Sequence, residues 1–233
     1  MPSYVRINGT MIKGVFVKRL TRFSASVRVE NEAVESFLPN PGRMSELLTP
    51  GVNVVLEESP RTGRRTSYDL IGVYQKRRKI SLDSSVPNKL VLEASRNKDL
   101  AEFPDYTSIR PEYLYSHTRF DFLLRNGLEP CLLEAKSRTF VKNEVAKFPD
   151  TKTVRGRRHL KDLIRAKREG YRACILFIVQ RLDAHVFSPD DKTDPEFGKI
   201  LREAASQGVE IYCYRLKFVK DKVVLDEKVE VKL

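Results

Sequence analysis

Residues 119–136 read Arg119-Phe-Asp121-Phe-Leu-Leu-Arg-Asn-Gly-Leu-Glu-Pro-Cys-Leu-Leu-Glu134-Ala-Lys136. Two apolar runs, 120–124 and 131–135, flank Asn126-Gly127, a dipeptide that favours the tight turn of a β-hairpin. Alternate residues of a strand share a face. Antiparallel pairing with Leu124 opposite Cys131 puts Asp121, Glu134 and Lys136 on one side, with Arg119 and Arg138 at its end. The other side is then Phe120, Phe122, Leu124, Cys131, Leu133 and Ala135. A pair of ordinary charges on a solvated face is the bland reading. Against it, Leu123 and Leu132 make the charged face apolar toward the turn, and facing carboxylates repel unless a cation lies between them. Mg²⁺ or Mn²⁺ suits such oxygen ligands, because Mg²⁺ binds through one or two carboxylates and shares its other positions with water and phosphate. Asp121 and Glu134 are therefore the candidate metal ligands. Phosphodiester hydrolysis needs those parts: a metal to activate water and neutralise the phosphate, and a lysine, here Lys136, to orient the water or stabilise the pentavalent state.

Working outward, the segments after residue 80 alternate strand and helix. Residues 87–95 predict a helix with Pro87 in its first turn. Residues 154–169 predict a long basic helix stopped by Gly170. The apolar run 173–179 predicts a strand buried on both faces. Asp194-Pro195 opens a helix that Gly208 closes, and 209–214 is a further strand. Residues 216–233 predict an added edge hairpin. An α/β domain with a mixed sheet is expected over 81–233. Residues 1–80 instead read as strands at 10–17, 25–29, 33–38, 52–56 and 68–74, with a short helix at 43–48 and a turn at Pro60-Arg61-Thr62-Gly63. Five strands with a helix between the third and fourth is the order of an OB-fold barrel. The cluster Lys76-Arg77-Arg78-Lys79 marks the boundary, as a solvated linker or as a basic saddle for phosphate.

The 233 residues carry 43 Lys+Arg against 31 Asp+Glu, a net charge of +12. Residues 1–80 hold 14 basic against 7 acidic residues, or +7, so the excess is denser there than over 81–233, at 29 against 24. Nucleic acid, DNA or RNA, is the polyanion such a chain is expected to bind. No apolar run reaches the roughly 20 residues of a membrane span. The N-terminus lacks a secretory layout, so a cytoplasmic location is expected. Cys131, Cys174 and Cys213 each sit in apolar runs and lack zinc-ligand spacing. Oligomeric state and strandedness of the substrate are not legible.

Asp121 with Glu134-Ala-Lys136 resembles the PD-(D/E)xK nuclease signature, although no proline precedes the Asp. The whole chain resembles the sugar fermentation stimulation protein A (SfsA) family. The matching stretches are Arg22-Phe-Ser-Ala, Pro39-Asn-Pro-Gly-Arg-Met44, Pro87-Asn-Lys-Leu, Arg119-Phe-Asp-Phe-Leu-Leu, Glu134-Ala-Lys-Ser, Phe148-Pro-Asp150, Thr153-Val-Arg-Gly-Arg-Arg-His-Leu160 and Phe177-Ile-Val-Gln-Arg-Leu-Asp-Ala184. Pro41 stands where that family's pattern has threonine. The resemblance implies an N-terminal OB-like domain, a C-terminal nuclease-like domain and DNA binding. The family name refers to sugar metabolism, so a non-catalytic DNA-binding regulator of sugar (maltose-type) metabolism is the alternative. Glu93, the acid inside the first core helix, is a candidate further carboxylate, with Glu112 as competitor. Arg22, Arg43, Arg119, Arg138, Arg155 and His159 are the candidate nucleic-acid contacts; His159 has a second reading as partner of an active-site carboxylate. Phe16, Phe23, Phe37 and Tyr68 are candidates for base stacking, most of them expected in the core.

Overall fold

A computed structural model describes residues 2–59, 63, 65–127 and 129–233. The strand β1 (Tyr4–Arg6) is followed by β2 (Met11–Arg19), β3 (Ser24–Val29), β4 (Glu32–Phe37), β5 (Asn53–Glu58), β6 (Tyr68–Gln75) and β7 (Arg78–Ser81). Strands β2 to β6 form the barrel. Its antiparallel order is β4-β3-β2-β5-β6, and parallel pairing of β4 with β6 (Ser36↔Tyr68, Phe37↔Asp69) closes it. Closure removes the exposed strand edges that an open sheet would carry. Phe16, Val27, Leu38, Val54, Leu56, Leu70 and Ile80 fill the interior.

Two expectations change here. The short helix at 43–48 is a single turn, in which the amides of Leu47 and Leu48 both donate to the Met44 carbonyl. Six residues between Gly42 and Thr49 give too few backbone bonds to offset helix nucleation. Tyr4–Arg6 also leave the barrel and pair with a strand near the C-terminus, Tyr4 opposite Val224. The turn expected at Pro60–Gly63 lies outside the described residues except for Gly63, whose φ is +82°.

The second domain continues with α1 (Val86–Arg96), β8 (Ser108–Tyr115), β9 (Thr118–Arg125), β10 (Cys131–Arg138), β11 (Val141–Lys142), β12 (Val145–Phe148) and α2 (Val154–Arg168). Then come β13 (Arg172–Val179), β14 (Val186–Pro189), α3 (Pro195–Ser206), β15 (Glu210–Val219), β16 (Lys222–Lys228) and β17 (Glu230–Val231). Its sheet runs β8-β9-β10-β13-β15-β16-β1, parallel through β10, β13 and β15 and antiparallel at both sides. The sequence 173–179 is wholly apolar because β13 is covered on both faces: Cys174, Leu176 and Ile178 face α1, and Ala173, Ile175, Phe177 and Val179 face α2 and α3. The helix α3 starts where Asp194, fully buried, accepts from the Phe197 amide at 3.0 Å. Asp194 also accepts from the Thr153 amide and from Arg157, and so ties the starts of α2 and α3 together. Among the described residues no helix is long and apolar enough to cross a membrane.

The domains are stitched together. Lys76 and Arg77 form the tip of the β6–β7 hairpin, so the basic cluster is a turn rather than a free linker. Next to it, Arg181 donates to Gln75 Oε1 at 2.8 Å and Lys79 lies 4.2 Å from the centre of the Phe218 ring. The loop 39–44 is fixed by Arg19, whose guanidinium donates to the carbonyls of Thr21, Arg22, Asn40, Gly42 and Arg43. Asn40 in turn donates to the Leu82 carbonyl at 2.8 Å, and Ser84 to that of Pro39, just ahead of α1. One planar fork with five donors is what such a set of acceptors requires, and a lysine has too few donors in the wrong geometry. Arg19→Lys is therefore expected to destabilise the protein by about 2 kcal/mol or more, the order of one or two lost charge-assisted bonds. Urea unfolding measures this; an unchanged midpoint would show that the loop is held by other means.

Candidate active site

The hairpin of β9 and β10 has the expected register, Leu124 opposite Cys131 and Phe122 opposite Leu133. The expected sharing of faces is corrected at one point. Phe122, Leu124, Cys131, Leu133 and Ala135 pack with α1, but Phe120 joins Leu123 and Leu132 on the α2 side. The change occurs at Asp121. On β8 the register runs from Pro111↔Phe122 to Tyr113↔Phe120, and the intervening Glu112 has a left-handed backbone, φ 54°. Such a residue is uncommon outside glycine, and the Glu112–Asp121 pair is missing from a register that is otherwise unshifted.

Asp121 is consequently held from the α1 side. Its Oδ1 accepts from Asn88 Nδ2 of α1 and its Oδ2 from the Ala135 amide, both at 2.8 Å. Glu134 is held from the α2 side and is 2% exposed. Its Oε1 contacts His159 Nδ1 at 2.5 Å and also accepts from Lys136 Nζ. His159 Nε2 accepts from Arg155 Nε at 3.2 Å, which assigns the remaining ring proton to Nδ1, pointing at Glu134. The two carboxylates thus meet at the sheet while a helix on each face steadies one of them.

The electrostatics follow from this placement. Burial pushes the Asp121 carboxyl up, and the Glu134 charge adds to it, giving a value of about 6. The same burial works to raise Glu134, but the His159 hydrogen bond and the Lys136 charge outweigh it and hold this carboxyl below the ordinary range. Glu134 Oε2 is buried and has no hydrogen-bond partner among the described residues. Two carboxylates share one lysine and one imidazole in a poorly solvated place. A carboxylate oxygen without a partner is costly unless something else supplies positive charge. That is the observation a divalent cation would satisfy. Among the described residues no group of three or more His, Cys, Asp or Glu converges, so a metal here would complete its shell with water or substrate, as Mg²⁺ does.

The other candidates are dispersed. Glu93 pairs with Arg96 at 3.0 Å on the exposed part of α1, and Asn88 takes the place expected of it beside Asp121. Five positions separate Asn88 from Glu93, which at 100° per residue turns Glu93 well away from Asn88. Glu112 is exposed and lies 3.6 Å from Arg119, so that arginine is outside the carboxylate cluster. His159 is 1% exposed and meets the carboxylate rather than solvent, which corrects its reading as a phosphate contact. Asp162, one turn on, binds Thr118 and Arg165 instead. Arg22, Arg43 and Arg138 do converge, lining a cleft of about 430 Å³ between the barrel and the second domain. Asp121 and Glu134 are not in its walls, but Ser137 and Arg138 directly follow Lys136 on β10. Gln180, at the end of β13, donates to Ser137 Oγ at 3.0 Å, and its own Oε1 is buried without a partner.

Residues 17–82 match the family model described as the SfsA N-terminal OB domain, and residues 85–222 the one described as the sugar fermentation stimulation protein RE domain. The chain belongs to the SfsA family. A sugar fermentation stimulation protein homolog of Thermoanaerobacter sp. (strain X514) is 43% identical over 228 residues, 97% of this chain and 99% of its own length. The homolog of Moorella thermoacetica is 42% identical over 231 residues, covering 98% and 100%. The structure of Pyrococcus furiosus SfsA in complex with Ca²⁺ superposes with a TM-score of 0.90 at 27% identity, over 100% of both chains. The two-domain SfsA architecture, an OB barrel followed by a mixed α/β domain, is thus the one found here.

The raised Asp121 carboxyl has a consequence for stability. Unfolded, this group ionises near 3.8, and folded near about 6, so between those values the folded chain holds more protons. Stability then falls as pH rises through that window. Asp121→Asn should raise the stability of metal-free protein at pH 7.5 by about 1–3 kcal/mol, from a shift of about two units at 1.36 kcal/mol each, and change it little at pH 4. Calorimetry in EDTA decides this; a variant less stable than wild type at pH 7.5 would contradict the electrostatic account.

Proposed function

We propose that this SfsA-family chain is a divalent-metal-dependent nuclease that hydrolyses phosphodiester bonds in DNA or RNA. The observation that carries the reading is the buried Glu134 carboxylate, its Oε2 unpartnered among the described residues, next to an Asp121 whose proton affinity is raised by that same charge. Hard oxygen donors of this kind select Mg²⁺ or Mn²⁺. The related Pyrococcus furiosus protein is described in complex with Ca²⁺, another cation that takes oxygen ligands. Asp121 and Glu134 would hold the metal, which when bound supplies charge neutralisation at the phosphate and a more acidic water.

The chain's own residues supply the rest. Asn88 and the Ala135 amide fix the Asp121 carboxylate, leaving further lone pairs on both oxygens. His159, locked by Arg155, fixes Glu134. Lys136 Nζ rests on Glu134 Oε1 and is positioned to donate to an attacking water or a phosphate oxygen. The name shared by the relatives favours a second reading, a DNA-binding regulator without catalysis. Both readings require nucleic-acid binding, so cleavage and its metal dependence separate them.

Wild type should cut labelled DNA or RNA in Mg²⁺ or Mn²⁺ and not in EDTA. Lys136→Ala should lose about 10²-fold or more in rate, as positioned catalytic groups do. Glu134→Gln should be inactive while keeping its metal-free affinity for nucleic acid. Gel assays with both variants check this. Cutting that survives EDTA would refute the mechanism, and no cutting of any substrate with any divalent ion would leave the regulator.

A further inference from the structure

The cleft between the domains is a second built feature, separate from the carboxylates. Its walls carry Arg22 and Arg43 from the barrel and Arg138 from β10, opposed by Asp150. Three arginines against one aspartate leave an excess of two positive charges. A neighbouring cavity of about 210 Å³ shares Arg43, Arg138 and Asp150 but adds Glu46 and Asp190, two positive charges against three negative, so an anion would enter the first cavity and not the second. Arg138 is 7% exposed. Its Nε donates to the Lys147 carbonyl, Asp150 lies 3.5 Å away on the cleft side, and Glu46 and Asp190 act on it from the neighbouring cavity. A buried guanidinium whose only bonded partner on its Nε side is a carbonyl keeps its two terminal nitrogens able to take a phosphate oxygen beside Asp150.

The barrel side of this cleft leads to aromatic rings. Arg22 lies 5.5 Å from the centre of the Phe23 ring, and Phe23 stacks on Phe37 with 6.4 Å between centroids and 19° between planes. Phe23 is 45% exposed, against 3% for Phe16 inside the barrel. The two rings, with Arg65, border a surface hollow of about 370 Å³. They fall on the connection from β2 to β3 and the end of β4, the part of an OB barrel where oligonucleotides are generally bound.

We propose that these features form one track for single-stranded nucleic acid, with an unpaired base on Phe23, the backbone along Arg22 and Arg43, and a phosphate on Arg138. Lys136 lies two residues, roughly 7 Å, before Arg138 on the same strand, so the track runs toward the carboxylates. Stacking on a ring needs a base with a free face, which a paired duplex offers only at its ends. A cleft of about 430 Å³ has the volume of a small-ligand pocket. Duplexes would therefore be taken at frayed or single-stranded ends. DNA and RNA share the stacking faces and phosphates that this track reads.

This inference names the substrate class of the proposed nuclease and so rests on that reading, but its test is made without metal and without turnover. Full-length protein in EDTA is titrated into fluorescein-labelled 15-mers, single-stranded DNA, single-stranded RNA and the duplex of each, followed by anisotropy over a series of salt concentrations. At least one single strand should bind about tenfold or more tightly than its duplex. Phe23→Ala should weaken that binding about 5- to 100-fold, the effect of removing one stacked base, and leave duplex binding nearly unchanged. Arg22→Ala and Arg43→Ala should each lower the slope of log K against log salt by about 0.7. Phe23 and both arginines are exposed, so folding is not at stake, and matched melting curves confirm it. Duplexes that bind as tightly as both single strands, or Phe23→Ala binding like wild type, would overturn the track. Strand preference found here together with no cutting in the separate metal-dependent assay would count against the nuclease reading alone.

Discussion

The carboxylate of Glu134 is closely constrained on every side the structure describes. It is 2% exposed, and a charge so far from water must be matched locally or be lost to protonation. Two neighbours match it. His159 arrives on α2, whose Leu160 and Leu163 are themselves fully buried against β13, so the helix cannot shift without opening the core. Lys136 comes from the same strand, two residues on, with a side chain long enough to reach back. Asp121 then has to sit beside this carboxylate with its charge only partly compensated, and the protein steadies it with Asn88 and a backbone amide. Packing of α1 and α2 on opposite sheet faces is therefore what brings the two acids together.

The barrel reaches the second domain through a shared apolar cluster that includes Val55, Ile71 and Phe218, through pairing of β7 with β15, and through side chains that bond to loop carbonyls. Arg19 gathers five carbonyls of the loops around 22 and 42, and Asn40 carries that arrangement to Leu82, at the threshold of α1. The loop conformation places Arg22 and Arg43 across from Arg138. Charge repulsion among those arginines is tolerable because each has partly separate surroundings and solvent on one side, and Asp150 lies beside Arg138. An anion in the cleft would relieve that repulsion, and the same loop contacts would hold the positive side chains ready for it.

Much of this was legible in the sequence, for identifiable reasons. Alternating apolar runs and Asn126-Gly127 revealed the hairpin and its register, because a one-residue slip would exchange buried and exposed faces. The apolar run 173–179 identified a doubly covered strand, and Gly and Pro punctuation located the helices. That Asp121 lies near Glu134 and Lys136 followed from the hairpin register, although Asp121 is held from the α1 side and Glu134 from the α2 side. What parity missed was local. Pairing lapses between Asp121 and Glu112, whose left-handed backbone no glycine announces, and beyond that point Phe120 lies on the other face. Glu93 is the candidate because it is the acid inside α1, yet the rotation of α1 on the sheet turns Asn88, an amide that carries no ligand signal, toward Asp121. Arg19 was invisible because its partners are carbonyls, which every residue has. The segment 43–48 had helical composition but too little length between Gly42 and Pro50 to form more than one turn.

The central claim is that Asp121 and Glu134 together form one divalent-cation site whose occupancy displaces the Asp121 proton. Calorimetric titration with Mn²⁺ at pH 6 and pH 8, in buffers of different ionisation enthalpy, tests it most directly. With the Asp121 carboxyl at about 6, wild type should bind one ion and release about half a proton at pH 6, and almost none at pH 8. Asp121→Asn should bind more weakly and release no proton at either pH. Absence of binding by wild type, or binding of equal strength and equal proton release in Asp121→Asn, would contradict the account.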